Sequence, residues 1–473
     1  MSVPGHNLDR MFNPKTAVVI GDKGPNYMWL KNNQTFQEKG GNLYSVQIDE
    51  KEIEGIEKLG FKNYTSLTDI PEPIDYAIVA VPRQISPYVL NDLIEVNAAS
   101  AAFFTSGFAE TGEEIGITLQ KQLTEAAQNA NFNIIGPNCM GLYLPKSGIR
   151  FNPDVPAADD GEVSFLSQSG THSIMFSLVM AAQGMHLSKC ASFGNAIILD
   201  ISDYLEYLTE DPDTKVIGLY VEGVKDGSRF FHALKEACRR KPVVVWKGGQ
   251  TEAGALATKS HTASLASPEP VWEGIMKQCG AISTSGLDET VDVMKLLLNS
   301  KSTEGRKLGL MAMTGGQSVS ITDAFCKVGF EVPSLSKQSY DELETFFNIV
   351  GGSYRNPLDM AGTIQGNTET LQRILTILDD DSEIDAIVME QSAMFGARQW
   401  RNKPEALDAM LDVLAEHKKR SQKPFFTVMH PAHEEAFVVE VRQKFAEHQI
   451  AVFPNFERAA SAAALALPYC LVK

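Results

Sequence analysis

Three stretches of this chain carry residue types that could do chemistry. His261 lies in Ser260-His261-Thr262-Ala263-Ser264-Leu265-Ala266, downstream of Val243-Val244-Val245-Trp246, which breaks into Lys247-Gly248-Gly249. An apolar β-branched run that empties into glycine and small polar residues reads as a buried strand feeding a loop. A neutral imidazole there is a nucleophile or proton carrier near pH 7, although most loop histidines only solvate a surface. Glu222 closes the run Lys215 to Val221 and precedes Gly223. A carboxylate at the carboxyl end of a strand lies on the functional edge of a parallel sheet, with a solvated edge charge as the plain alternative. Ser167-Gln168-Ser169-Gly170-Thr171 separates a strand pattern, Glu162 to Leu166, from a helix pattern through Val179. Free backbone N–H groups at such a helix start suit an anion, phosphate above all; an ordinary serine cap competes with that reading.

The elements that must position these residues alternate strand with helix. Thr16 to Ile20, Asn42 to Val46, Tyr76 to Val81, Ala102 to Phe104 and Asn133 to Ile135 are strand-like, with amphipathic stretches such as Ser86 to Val96 and Leu119 to Ala130 between them. That alternation predicts a parallel sheet covered on both faces, placed at residues 1–150. Ligands of such a sheet sit beyond the carboxyl ends of the strands. Here those are the turns bearing Gly21 and Lys23, Pro82, Ser106 and Gly107, and Pro137 and Asn138. Gly21-Asp22-Lys23-Gly24-Pro25 lacks the Gly-x-Gly-x-x-Gly spacing of a dinucleotide fingerprint, which argues against a nicotinamide dehydrogenase. A second α/β set spans 151–300, and the polar segment Asn299 to Arg306 reads as a linker. A third set, 301–473, opens with Leu308 to Met313 and a second glycine-rich turn, Thr314-Gly315-Gly316-Gln317-Ser318.

Composition narrows the function classes. The 473 residues carry a formal charge of −17, which disfavours nucleic acid or an anionic membrane as principal partner because neutralising phosphates needs a basic face. Neither a run of about 18 apolar residues nor a signal-peptide pattern is present, so a cytoplasmic location is expected. Six cysteines lie scattered without Cys-x-x-Cys spacing, which predicts reduced thiols and no bound metal. Phe104, Met140 and Phe193 fall near the proposed site, but large apolar residues are core by default.

Several turns taken together resemble a known family. Phe104-Thr105-Ser106-Gly107-Phe108-Ala109-Glu110-Thr111-Gly112, Gly136-Pro137-Asn138-Cys139-Met140-Gly141, Ser167-Gln168-Ser169-Gly170, Tyr220-Val221-Glu222-Gly223 and the His261 stretch are similar, in order and spacing, to the ADP-forming acyl-CoA synthetases. These are relatives of succinyl-CoA synthetase, and the likeness is greatest to the α-subunit type. It continues through Asn356-Pro357-Leu358-Asp359 and Val452-Phe453-Pro454-Asn455. The resemblance implies a Rossmann-like CoA-binding domain followed by two flavodoxin-like domains. It implies that acyl-CoA and phosphate give an acyl phosphate, that His261 takes the phosphoryl group, and that Glu222 orients its imidazole. Ser167, Gln168, Ser169, Gly170 and Thr171 would receive phosphate, and Gly107, Pro137 and Asn138 would surround the CoA thiol. No ATP-grasp pattern follows residue 306, so Mg-ADP or Mg-ATP would come on a β-type partner subunit within a hetero- or homo-oligomer. Two other readings stay open: a nucleotide-independent acyl or carbamoyl transferase of the same fold, and a non-catalytic CoA-binding protein. The bulkier, differently charged turn at Gly21 departs from the family's glycine-rich opening and motivates the last of these.

Overall fold

The computed structural model describes residues 8–157, 160–254, 256, 269–360, 362–364, 366–431 and 433–469; His261 and its loop lie outside the described residues. Two compact units divide the chain, one of Met1–Ala181 with His186–Ser285 and one of Ala182–Met185 with Gly286–Val472.

The first unit holds two sheets. In the first, β1 (Thr16–Ile20), β2 (Asn42–Val46), β3 (Lys62–Tyr64), β4 (Tyr76–Val79), β5 (Ser100–Phe103) and β6 (Asn133–Ile135) stand in the order β3-β2-β1-β4-β5-β6, all parallel. This is the Rossmann order. Every residue of β1, β4 and β5 is buried, as a strand covered on both faces requires. Chain direction across the sheet reverses between β1 and β4. The loops that follow these two strands must therefore part, and a crevice opens between them.

The second sheet comprises β7 (Gly141–Tyr143), β8 (Val163–Ser167), β9 (Leu187–Ser192), β10 (Val216–Val221), β11 (Val243–Lys247) and β12 (Ile282–Thr284), in the order β12-β11-β10-β8-β9-β7. All pairs are parallel except β7, which runs antiparallel along β9. Without that edge strand the order is flavodoxin-like, and the reversal falls between β8 and β10. The phosphate-type turn and Glu222 follow those two strands.

The second unit holds β13 (Leu308–Ala312), β14 (Leu358–Asp359), β15 (Ala386–Ser392), β16 (Phe425–His430) and β17 (Val452–Phe453), ordered β14-β13-β15-β16-β17 and all parallel. This too is flavodoxin-like, with its reversal between β13 and β15. The unit begins at Gly286, ahead of the polar segment expected to link domains. Helix Leu287–Asn299 packs on the C-terminal helix Phe456–Ala466 through polar contacts. Asp292 accepts from Arg458 Nε at 2.5 Å, Ser461 donates to Glu289 at 2.6 Å, and Lys295 donates to the Val452 carbonyl at 2.9 Å.

On β15, Glu390 is fully buried and accepts the Met313 N–H at 2.8 Å, while its Oε1 has no partner among the described residues. Burial lifts its carboxyl to about 7. Because the folded value is raised, this group favours folding most below its ordinary carboxylate range, and that contribution is lost as pH climbs through about 7. Relative to Glu390→Gln, the native protein should lose up to ~3 kcal/mol between pH 4.5 and pH 8. Urea unfolding of both proteins across that range is the check, and parallel pH profiles would refute the assignment.

Candidate active site

The reversal in the second sheet is bridged by one side chain. Gln168, the first residue after β8, accepts the N–H groups of Glu222 and Gly223 on Oε1 at 2.5 and 3.0 Å and donates from Nε2 to the Gly223 carbonyl at 3.0 Å. Its own N–H donates to the Tyr220 carbonyl at 3.3 Å. A primary amide has both donor and acceptor to spend, and here both go to one turn across the crevice. Gln168, expected among the phosphate ligands, thus clamps the end of β10. Glu222 is 5% exposed, and its Oε1 accepts the Tyr220 hydroxyl at 3.2 Å. Lys247, at the end of β11, donates to the carbonyls of Glu222 and Gly248 at 2.9 and 2.6 Å. Its burial lowers the ammonium's pKa. A Cβ at position 248 would come within 2.7 Å of the Tyr220 hydroxyl, so glycine there leaves that hydroxyl its place.

The phosphate-type turn is braced by its own hydroxyls. Ser167 Oγ donates to the Ser169 carbonyl at 2.8 Å and accepts the Ser169 N–H at 3.1 Å. In the first turn of the helix Gly170–Ala182, the His172 N–H goes to Ser169 Oγ and the Ser173 N–H to the Ser169 carbonyl. The N–H groups of Gly170 and Thr171 precede any intrahelical acceptor, which leaves them for an anion. His172 went unnoticed in the sequence. Its ring lies 4.3 Å from that of Tyr220 and 4.5 Å from that of Trp246, and those two rings are 4.7 Å apart. Burial lowers the His172 pKa, with the Glu222 charge acting in the opposite sense. Tyr220 and Trp246 thus flank a ring whose burial disfavours its protonated form.

The first sheet's reversal forms a cleft of about 510 Å³ that brings together Gly21, Lys23, Pro82, Ser106 and Asn138. Gly21 has φ +80°, and a Cβ there would meet Val81 at 2.6 Å. Phe104, 38% exposed, lines the cleft and packs edge-on to Trp29 with ring centres 5.0 Å apart. Gly107 and Pro137 are not among its lining residues. The Gly107 carbonyl accepts from Arg83 at 2.5 Å and its N–H goes to Glu110 at 2.5 Å, while buried Pro137 accepts the Asn195 N–H at 3.0 Å. Asp22 is 5% exposed and receives the N–H groups of Lys23 and Leu30 at 3.1 and 2.9 Å. Its carboxylate thus takes donors of the segment after β1, the segment that in glycine-fingerprint folds faces a dinucleotide phosphate.

A second cleft of about 410 Å³, lined by Glu110, Gln168, Phe193, Asn195, Gly223 and Lys225 among others, lies between the loops of the two sheets. Asn195 Nδ2 donates to Glu110 at 2.6 Å and to Gln120 at 3.0 Å, and Lys225 donates to the carbonyls of Asn195 and Ala196 at 3.0 and 2.7 Å. Gly194 touches the Pro137-Asn138 backbone so closely that a Cβ would fall 2.2 Å from the Asn138 oxygen. Among the described residues Lys225 makes no direct ion pair, although the Glu110 and Asp200 carboxylates line the same cleft and the Asp200 charge favours its protonated form. No role for Glu110, Asn195 or Lys225 can be read from the sequence, because their meeting depends on loops far apart in the chain.

Two families match in succession: a CoA binding domain over residues 15–145 and the succinyl-CoA ligase-like flavodoxin domain over 160–297. The α subunit of ADP-forming acetate–CoA ligase II of Pyrococcus furiosus is 32% identical over 385 residues, covering 80% of this chain and 81% of that subunit. The chain belongs to the ADP-forming acyl-CoA synthetase family, α-subunit type. The ADP-forming acetate–CoA ligase I of Archaeoglobus fulgidus is 34% identical over 386 residues, and the chain matches about half of that longer relative's length (54%). In three dimensions the chain is similar to dinucleotide forming acetyl-coenzyme A synthetase 1 of Ca. Korarchaeum cryptofilum, solved with phosphate and ADP. That likeness has a TM-score of 0.84 at 26% identity and covers 98% of this chain and 97% of the other. Acid–thiol ligation is accordingly the family's chemistry. No helix among the described residues is long and apolar enough to cross a membrane.

Within this synthetase fold the amide clamp has a measurable weight. Gln168→Leu keeps the bulk and removes three hydrogen bonds, so it should cost ~2 kcal/mol of stability, since buried groups are left unpaired. It should also raise amide exchange at Glu222 and Gly223. Urea unfolding with residue-resolved hydrogen exchange measures both; unchanged exchange at these two amides would show that the clamp does not hold the turn.

Proposed function

We propose that the chain is the α-type subunit of an ADP-forming acyl-CoA synthetase that interconverts acyl-CoA, phosphate and ADP with the free acid, CoA and ATP. The observation that carries this reading is the clamped juxtaposition of Glu222 with the anion turn Ser167 to Thr171. It is supported by the order of the two matching domain families and by the α subunits to which the chain is similar.

In the first step phosphate oxygen attacks the acyl carbonyl, the C–S bond breaks, and the thiolate of CoA leaves and takes up a proton. The acyl-CoA would lie in the cleft of Gly21, Lys23, Pro82, Ser106 and Asn138, with the reacting acyl group toward the second cleft, where Lys225 can balance the charge that develops. Gly107 and Pro137 serve by shaping the loops around it. In the second step an imidazole nitrogen of His261 attacks phosphorus, and the carboxylate leaves with its bridging oxygen. Glu222 holds the imidazole's other N–H, fixing the tautomer and stabilising the cation formed. Backbone N–H groups at Gly170 and Thr171 stabilise the phosphoryl oxygens. In the last step ADP, presented with magnesium by an ATP-grasp partner subunit, takes the phosphoryl group and returns the imidazole to its neutral form. A cytoplasmic hetero-oligomer fits this division of labour. The domain limits we assign are 1–150 for CoA binding and 151–285 for the histidine loop, with the third sheet in the unit that begins at Gly286 rather than at 301.

Incubation with acetyl-CoA, propionyl-CoA or an aromatic acyl-CoA and labelled phosphate should give an acid-labile, alkali-stable label on the protein. His261→Ala should abolish it, and Glu222→Gln should slow its formation by at least ~10-fold, as loss of a histidine's orienting carboxylate does elsewhere. A label that survives His261→Ala would sink the reading. Turnover without nucleotide in that variant would favour a transferase instead.

A further inference from the structure

The third sheet repeats the strand-order reversal of the other two. β13 pairs with β14 on one side and β15 on the other, so the loops after Ala312 and Ser392 part. A cavity of about 310 Å³ fills the gap on the side of the helices Thr368–Asp380, Ala393–Asn402 and Pro404–Arg420. Open α/β sheets bind their ligands at this place.

The walls define what the cavity can hold. Met389, Trp400 and Leu371, which are 1%, 7% and 1% exposed, supply a thioether, an indole and an aliphatic surface. Trp400 is set against its own helix because position 396 is glycine: a Cβ there would lie 2.6 Å from the indole. Polar groups come from Gln391, Ser392, Thr314, Asn367, Thr368 and Gln399, and no lining side chain among the described residues is charged. Gln391 is 4% exposed, yet among the described residues its amide nitrogen finds no stronger acceptor than Met389 Sδ at 3.1 Å. A thioether is a weak acceptor, so a buried primary amide here holds hydrogen-bonding capacity in reserve. Carrying a formal charge into such a site would cost its hydration with no counter-charge to repay it.

We propose that this cavity is a second small-molecule site, selective for an uncharged planar heterocycle with an amide-like edge. The ring would lie against the indole and the thioether, both favourable partners for aromatic faces and edges. Its edge would pair with the Gln391 amide, donor to acceptor in both directions. The site is assigned from the second unit alone and does not depend on the acyl-CoA synthetase reading, so either can fail without the other.

Nicotinamide and nicotinate are a fitting pair of probes, since they share shape and differ in charge. With the full chain, ligand-observed saturation-transfer NMR should show nicotinamide bound at least ~10-fold more tightly than nicotinate, a difference of about 1.4 kcal/mol. Ala406→Trp, which fills the cavity, should abolish the signal, with circular dichroism to confirm folding. Gln391→Leu keeps the volume and should weaken nicotinamide by ~10-fold; it decides the matter if Ala406→Trp does not fold. Equal affinity for nicotinate, nicotinamide binding that survives a folded Ala406→Trp or Gln391→Leu unchanged, or no nicotinamide binding by the native chain would each overturn the proposal.

Discussion

The candidate active site depends on an amide that spans two strands' ends. Strands β8 and β10 are neighbours in the sheet, but their following loops leave in opposite directions, and nothing in the ladder itself fixes how far they part. Gln168 supplies the missing constraint by accepting two N–H groups and donating to one carbonyl of the Glu222-Gly223 turn. Each such bond is worth about 1 kcal/mol net. Their combined value lies less in stability than in locking the end of β10 against the helix start that follows β8. Lys247 completes the frame from β11 by taking the Glu222 carbonyl. The carboxylate is thereby placed by backbone contacts on both sides and by the Tyr220 hydroxyl on one of its oxygens.

Much of this was legible in the sequence because each signal was local. Runs such as Val216–Val221 and Thr16–Ile20, apolar without alternation, announced strands buried on both faces, and the alternation with helices announced parallel sheets. Glu222 and the turn at Ser167 were visible as polar residues at the ends of such runs. The function of Gln168 was not, because its partners are 54 and 55 residues away. The same holds for Glu110 and Asn195, which meet across 85 residues. His172 escaped notice since a histidine in a helix start has no distinguishing pattern until Tyr220 and Trp246 are seen to flank it.

The boundary between the two compact units shows the limits of composition. Asn299 to Arg306 is polar and poor in apolar residues, which is the ordinary mark of a linker. The preceding helix, however, carries Asp292 and Lys295, both charged and both buried, and their partners Arg458 and the Val452 carbonyl come from the far end of the chain. Buried charges need partners more urgently than exposed polar residues need solvent. Those pairings draw Leu287–Asn299 into the second unit and move the boundary ahead of the polar segment.

Three sheets in one chain use the same topological opening with different electrostatics. At the first, Asp22 has been turned inward onto the N–H groups of Lys23 and Leu30, so an acid sits where glycine-fingerprint folds keep donors free for phosphate. That leaves Lys23 and the walls beyond to meet whatever the cleft accepts. At the second, the Glu222 carboxylate and the helix start at Gly170 are held across the reversal by Gln168, while Lys225 lines the neighbouring cleft. At the third, charge is absent from the lining among the described residues, and burial pushes Glu390, on the same strand as Met389 and Gln391, toward neutrality. Strand order creates the cavity in each case. The side chains that line each opening set its charge.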